Sequence, residues 1–183
     1  MTPATPFKTQ QKAPAYKKAP RKVLAGVALA ALLGGGAAQL TVDKVAEYEG
    51  YVPEAYQCPA GVWTKCFGDT TNVTPGATYT FEECVESINA HILELARPVA
   101  LCVPGLMDRP DKVKAAAVSM AYNIGPGAFC KSSVAQAFRA GEYETGCKRI
   151  AEIYRTAGGK EQPGLVVRRK DESAMCLEGL RGE

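Results

Sequence analysis

Three residues of different chemistry lie close together in the stretch EGYVPEAYQCPAGVWT, residues 49–64. Glu49 opens it with a carboxyl group that can donate a proton, Cys58 adds a potential nucleophile, and Thr64 closes it with a hydroxyl group. The Pro and Gly residues between them predict a turn, so we expect Glu49 and Thr64 to face each other across one short hairpin, with Cys58 between them. Such a combination is more typical of an active site than of a core.

The neighbouring segments predict the elements that position these residues. Residues 41–49 carry apolar side chains at helical spacing and are followed by Gly50, which predicts a short helix with Glu49 near its C-terminal end. Residues 55–72 combine strand-forming residues with Pro and Gly, and they form the single β region that the sequence predicts.

Helical patterns follow through the rest of the chain. Thr80 and Glu83 form a capping-box pattern, which predicts a helix from there to about Arg97, just before Pro98. Further helices are predicted at about 110–123, 131–140, 143–156 and 163–178, separated by glycines. The predicted fold class is therefore α+β, a small antiparallel hairpin sheet beside a helical lobe.

The N-terminal part of the chain has a different composition. Residues 1–22 contain four prolines, six basic residues and no acidic residue, which predicts a basic tail that does not fold. Residues 23–42 contain no charge, and a 20-residue helix would reach about 30 Å, the thickness of a bilayer core. The charge pattern places the tail in the cytoplasm and the domain at 43–183 outside the inner membrane.

The apolar segment has two competing interpretations. Ten of its 20 residues are Gly or Ala, so as an uncleaved anchor it would hold the membrane only weakly. A basic region, a short apolar stretch and small residues at Gly36 and Ala38 also fit a cleavable signal peptide. A buried helix of a soluble domain is a third alternative. Both leading interpretations export the domain.

Cysteine usage agrees with export. The chain has seven cysteines and one histidine, with no CxxC pair, so we expect disulfides formed in an oxidising compartment and neither a metal site nor a cofactor. The odd count leaves one thiol over.

The six basic residues of the tail leave 16 basic and 19 acidic residues, a net charge of −3, in the rest of the chain. We therefore expect a single monomeric domain that does not bind nucleic acid.

Glu49, eight intervening residues, Cys58, five intervening residues and Thr64 resemble the catalytic pattern Glu-8-Asp/Cys-5-Thr of phage-type lysozymes, glycoside hydrolase family 24. The resemblance continues in order through AYNIGPGAFC (121–130), AGEY (140–143), AGGK (157–160), GLVVRR (164–169) and MCLEG (175–179). Within that family the chain is most similar to the endolysins of lambdoid phages that carry an N-terminal signal-anchor-release segment, which residues 23–42 resemble.

The resemblance implies a lysozyme-like fold and a role for each residue of the pattern. Glu49 would be the general acid, and a partly apolar cleft would favour its protonated form. Cys58 would take the position usually held by aspartate, and Thr64 would help to hold water or substrate on the opposite face. A thiol has a reference pKa of about 8.5, so Cys58 does not simply replace a carboxylate; it could act as a thiolate nucleophile or position a water.

A structural disulfide is the alternative role for Cys58. If Cys58 is instead the odd thiol, chain proximity suggests one pairing of the other six, Cys66–Cys84, Cys102–Cys130 and Cys147–Cys176, out of 15 possible connectivities. A bridge between Cys58 and Cys66 would hold the site in an inactive form. Some relatives undo such a bridge with a cysteine in the anchor, but residues 23–42 contain none, which leaves physical release and refolding of the anchor as the simpler hypothesis.

Three further residues are candidates for substrate binding. Asp69 stands where the family more often has histidine, and it is either a spare carboxylate near the cleft or a cap on the turn before Thr70. Asn123 is a candidate hydrogen-bonding group in the cleft. Arg168 is expected to face a partner, with a solvated position on its helix as the alternative.

The resemblance implies an exported muramidase that hydrolyses the β-1,4 bond between N-acetylmuramic acid and N-acetylglucosamine in peptidoglycan and so lyses the host. It implies a path from the inner membrane, held by residues 23–42, to the periplasm. Two alternatives stay open. A lytic transglycosylase would need only one carboxylate, and a non-catalytic peptidoglycan-binding protein would explain the missing aspartate.

Overall fold

A computed structural model describes residues 17–58 and 61–182. Most of the predicted basic tail (residues 1–16), residues 59–60 and residue 183 lie outside the described residues. A small β-hairpin packs beside a larger group of helices, which confirms the predicted α+β class.

The helices are α1 (Val27–Leu33), α2 (Gly35–Glu49), α3 (Phe81–Cys102), α4 (Asp111–Ile124), α5 (Pro126–Lys131), α6 (Ser133–Arg139), α7 (Tyr143–Ile150) and α8 (Pro163–Arg181), with a 3-10 turn at Pro104–Leu106. Strands β1 (Val52–Gln57) and β2 (Trp63–Cys66) form one antiparallel sheet, and β3 (Thr156–Ala157) and β4 (Lys160–Glu161) form another.

Helix α4 lies at the centre of the helical lobe. Every residue from Val113 to Ala121 is buried, and the helix packs against α2, α3, α5 and α8. Such an all-round apolar helix is typical of a core position. Helix α2, which ends at Glu49, and helix α8 therefore both rest on α4.

The first hairpin is irregular. Val52 pairs with Cys66 and Tyr56 pairs with Thr64, so four residues of β1 span the distance that two residues of β2 span. A bulge of this kind bends a strand and increases its twist. The bulged part of β1 pairs on its other edge with residues 77–79, through backbone N–O distances of 2.9 and 3.0 Å.

The apolar segment 23–42 is packed into the domain as two helices. Gly34, with φ of +87°, breaks the helix between α1 and α2. The segment buries Leu29, Leu33, Ala37, Ala38 and Val42 in the same core as α3 and α4. Helix α2 continues without a break past residue 42 to Glu49. Within the described residues no helix is both long and apolar enough to cross a bilayer.

The chain before α1 is held by hydrogen bonds to the rest of the domain. Lys17 and Tyr51 exchange two backbone hydrogen bonds of 3.0 and 3.1 Å. The Gln39 amide accepts from Ala25 N (3.2 Å) and donates to the Val23 carbonyl (2.9 Å). The Asn89 amide accepts from Gly26 N (2.7 Å) and donates to the Leu24 carbonyl (2.9 Å). Two amide side chains thus satisfy backbone groups that a strand would otherwise pair.

Some predicted boundaries were wrong. The capping box of Thr80 and Glu83 begins α3 as predicted, but the helix runs through Pro98 to Cys102, because the buried Val99 and the Cys102–Cys130 disulfide hold its last turn against the core. The helix predicted at 131–140 is α6 (Ser133–Arg139), but the short helix α5 (Pro126–Lys131) before it was not predicted. Helix α2 begins at Gly35 instead of near residue 41.

The prediction of a single β region was also wrong. The helix predicted at 143–156 ends at Ile150, and the strands β3 and β4 follow it. Gly158 and Gly159 connect them with φ of +57° and +75°, a conformation that favours glycine and matches the twist of a two-residue hairpin.

Three disulfides join the cysteines in the pairing suggested by chain proximity, Cys66–Cys84, Cys102–Cys130 and Cys147–Cys176. The first ties β2 to α3, the second ties α3 to α5, and the third ties α7 to α8. Cys58 is the one free thiol of the described chain. The alternative bridge from Cys58 to Cys66 is not formed, because Cys66 is bonded to Cys84.

Candidate active site

Glu49 is the last residue of α2, and Gly50 ends the helix with φ of +68°. Its side chain is one-quarter exposed. One carboxylate oxygen accepts from Arg168 Nη1 of α8 at 2.9 Å. The other lies against the chain that leaves the hairpin, where a Cβ at Gly68 would be 3.4 Å from Oε2. The carboxylate therefore lies at the junction of the hairpin and the helical lobe.

Cys58 and Thr64 lie on the hairpin itself. Thr64 is in β2, is 4% exposed, and its hydroxyl donates to the Val62 carbonyl at 3.1 Å. Cys58 follows β1 at the closed end, where its amide donates to the same carbonyl at 2.9 Å. Its side chain is partly exposed. The hairpin thus carries Cys58 at its closed end, Thr64 in its second strand, and Glu49 just before its open end.

Arg168 was expected to face a partner, and the structure places it inside instead. It is 6% exposed. Besides Glu49, it donates through Nε to Glu172 (3.2 Å) and through Nη2 to the Ser119 carbonyl (3.3 Å), and the Tyr48 ring lies over it. Arg168 is buried because α8 lies against α4, and this packing brings the Arg168 face of α8 to the end of α2.

A buried charge cluster continues behind Arg168. Glu172 is completely buried, accepts from the Ser119 hydroxyl (2.7 Å), and pairs with Arg169 at 2.8 Å. Burial raises the pKa of Glu172 while both arginines oppose that shift, and burial lowers the pKa of Arg169. Sequence reasoning missed Glu172, although its spacing four residues after Arg168 in one predicted helix is a signal for such a pair.

Asp69 is 7% exposed, and its oxygens are used inside the protein. It accepts from Thr71 N (2.7 Å) and from the Ser87 hydroxyl (2.5 Å), and Lys65 lies 3.6 Å away. The contact with Thr71 N is a turn cap, and the contact with Ser87 ties the hairpin to α3. Asn123, the other candidate of this group, is exposed one residue before the end of α4.

Tyr122 is a further residue that the sequence did not indicate. Its hydroxyl lies 3.3 Å from the Phe67 carbonyl, and its ring packs against His91 with centroids 4.9 Å apart. Burial raises the pKa of its phenol, and the negative charges of Glu49 and Asp69 add to that shift. Tyr122 therefore stays neutral and supports the hairpin from α4, near both carboxylates.

The pKa of Asp69 leads to a pH-dependent prediction. Burial raises it, but the hydrogen bonds from Ser87 and Thr71 and the charge of Lys65 outweigh burial and hold it below its ordinary value. A depressed carboxylate pKa stabilises the fold above the unfolded value of about 3.9, and this contribution is lost as the pH falls through the folded value.

We therefore expect Asp69→Asn to be less stable than the wild type at pH 7, with the difference shrinking below about pH 4. Thermal unfolding monitored by circular dichroism from pH 7 to pH 2.5 measures both proteins. Asp108→Asn, a turn residue with no resolved pKa shift, is the control. A stability difference that does not change with pH would contradict the assigned contacts.

Within residues 17–58 and 61–182, no group of three or more His, Cys, Asp or Glu side chains is arranged to hold a metal ion.

This arrangement, a hairpin joined to a helical lobe with a glutamate at the junction, is that of a lysozyme-like enzyme. The Phage lysozyme family model matches residues 46–172. The SAR-endolysin of Enterobacteria phage P21 is 32% identical over 161 residues, covering 83% of this chain and 94% of that protein. The SAR-endolysin of Escherichia phage P1 is 30% identical over 156 residues, covering 79% and 83%.

A solved structure of a phage endolysin is also similar to this chain. The active form of the P1 phage endolysin Lyz superposes with a TM-score of 0.71 at 28% identity, covering 84% of this chain and 93% of that one. The chain therefore belongs to the phage lysozyme family and is a glycoside hydrolase.

Proposed function

We propose that this protein is an endolysin of the muramidase type, which hydrolyses the β-1,4 bond between N-acetylmuramic acid and N-acetylglucosamine in peptidoglycan and so lyses the host cell. The observation that supports this most directly is the position of Glu49. Its carboxyl group lies at the junction of the two lobes, partly exposed and held by Arg168. This is where a proton donor can reach a glycan that lies between the lobes.

In the proposed reaction Glu49 donates its proton to the glycosidic oxygen, and the bond from that oxygen to the anomeric carbon breaks. A water molecule on the opposite face then supplies the new hydroxyl group and releases a proton. This proton replaces the one that Glu49 donated, so the reaction consumes only water. The Thr64 hydroxyl helps to hold this water. Cys58 either positions this water or, as a thiolate, attacks the anomeric carbon first from the same opposite face. In the second case water enters from the Glu49 side, Glu49 takes its proton, the carbon–sulfur bond breaks and the thiolate is restored.

The test uses purified protein and permeabilised Gram-negative cells. We expect the turbidity to fall and new reducing ends to appear at N-acetylmuramic acid. Products that end in an anhydro sugar would instead identify a lytic transglycosylase. Binding to the cells without any fall in turbidity would contradict an enzymatic role and support the peptidoglycan-binding alternative.

We further propose that residues 23–42 first anchor the protein in the inner membrane, with the tail in the cytoplasm, and that the protein is then released intact to the periplasm. Support comes from the way this segment packs: it contributes buried residues to the core and continues directly into the helix that carries Glu49. Glu49 is only seven residues beyond Val42, so anchoring would hold it close to the bilayer. A cleaved signal peptide would remove these core residues.

We expect a variant that lacks residues 1–40 to lose both cooperative unfolding and activity. The deletion removes the buried side chains of Val23, Leu29 and Leu33. At about 1.5–3 kcal/mol for each, their loss rivals the 5–15 kcal/mol of net stability of a typical domain. A variant that lacks only residues 1–16 is the control. If the variant that lacks residues 1–40 cleared cell walls as fast as the released full-length protein, refolding of the anchor would not be needed.

A further inference from the structure

Arg168 is the only described side chain with an ion pair to Glu49, and three contacts determine its direction. Nη1 donates to Glu49, Nε donates to Glu172, and Nη2 donates to the Ser119 carbonyl. A guanidinium group is planar, and its donors point in fixed directions. The contacts with Glu172 and the Ser119 carbonyl therefore determine where Nη1 points within the plane of the group.

The inner side of this arrangement is buried. Glu172 is completely buried and is held by the Ser119 hydroxyl and by Arg169. Two arginines, Arg168 and Arg169, are balanced by two glutamates, Glu172 and Glu49. A buried charge without a partner is costly, so the four groups stabilise one arrangement together.

The aromatic ring of Tyr48 makes a fourth contact with the Arg168 guanidinium. Arg168 Cζ lies 4.5 Å from the centroid of the Tyr48 ring, within the range of a cation–π contact. Tyr48 is the residue directly before Glu49 in α2, so two consecutive residues contact the same cation, Tyr48 through its ring and Glu49 through a hydrogen bond. The Tyr48 hydroxyl points elsewhere and lies 3.4 Å from Asp171.

We propose that Tyr48 is a positioning residue for the proton donor Glu49, acting through Arg168. Without the ring, the guanidinium plane can tilt about the line through its contacts with Glu172 and the Ser119 carbonyl, and the Glu49 carboxylate loses its fixed place at the junction of the two lobes. The ring face carries this role and the phenol hydroxyl does not. The inference rests on the proposed function, because it takes Glu49 as the proton donor.

The test compares Tyr48→Leu, which removes the aromatic face, with Tyr48→Phe, which keeps it, in the full-length protein. We expect Tyr48→Leu to lower kcat on purified peptidoglycan about tenfold with KM within about twofold, and Tyr48→Phe to keep kcat within about twofold. Tyr154→Leu, an exposed tyrosine that is 42% accessible, is the control. Thermal unfolding of each variant distinguishes a displaced Glu49 carboxylate from an unfolded protein.

A wild-type kcat in Tyr48→Leu overturns the inference, and so does an equal loss in Tyr48→Phe and Tyr48→Leu. A rise in KM with kcat unchanged also overturns it, because that pattern indicates a role in substrate binding. If the wild-type protein itself fails to hydrolyse peptidoglycan, the proposed function fails and this inference fails with it. The two failures are therefore distinguishable in one experiment.

Discussion

We expect Glu49→Gln to lower the rate of peptidoglycan hydrolysis by about a thousandfold, in the range that loss of a general acid produces. The amide has nearly the same shape as the carboxyl group and still offers an oxygen to Arg168 Nη1, which donates to Glu49 at 2.9 Å. It has no proton to donate to the leaving oxygen. The fold should therefore survive while the chemistry stops.

Turbidity clearing and reducing-end release measure this effect, and thermal unfolding confirms that the variant is folded. Glu47→Gln is a matched control, since Glu47 lies two residues earlier in the same helix, is exposed, and pairs only with Lys44 among the described salt bridges. We expect it to keep the wild-type rate. If Glu49→Gln retained more than about a tenth of the activity, another group would have to be the proton donor.

The second large effect is expected at Cys58. Replacing it with serine should lower the rate about a hundredfold, because a hydroxyl group of similar size is a far weaker nucleophile and base than a thiolate at neutral pH. Replacing it with aspartate should keep the rate near that of the wild type, since aspartate is the more usual residue at this position of the family pattern.

Alkylation offers an independent measurement at the same position. The other six cysteines are in disulfides, and Cys58 is partly exposed. Iodoacetamide without reductant should therefore inactivate the wild type and leave Cys58→Asp unaffected. Full activity in Cys58→Ser would show that the thiol has no catalytic role and that the residue is only structural.

The hydrogen bond from Arg168 to Glu49 affects the interpretation of the Glu49 and Cys58 variants. A cation beside the proton donor fixes its position and also interacts with its charge, so variants at Glu49 and at Cys58 should be compared at several pH values. Because Arg168 is shared between Glu49 and the buried Glu172, a change at Glu49 is also a change in the charge balance of the core. Glu49→Gln keeps the shape of the side chain and an acceptor for Arg168, but it removes one of the two negative charges that balance Arg168 and Arg169.

Much of the local structure could be predicted from the sequence. The capping box at Thr80 and Glu83, the stop at Gly50 and the hairpin over 52–66 depend on contacts between residues close in the chain, and such contacts are visible in the sequence. The disulfide pairs also followed chain proximity, since after Cys58 each bridge joins a cysteine to the next one along the chain. Pro98 was misread because local propensity was overridden by packing and by a disulfide.

The sequence by itself determined which groups are available for chemistry: Glu49, Cys58 and Thr64, in the order and spacing of one hairpin, together with the apolar segment before them. Only the tertiary structure decided what holds them. Arg168 lies 119 residues from Glu49 in the chain, and Ser119 lies between them in sequence. The direction in which Arg168 points depends on how α8 packs on α4, and no pattern within either helix specifies that packing. The role of Tyr48 likewise exists only because this packing brings a buried cation against the end of α2.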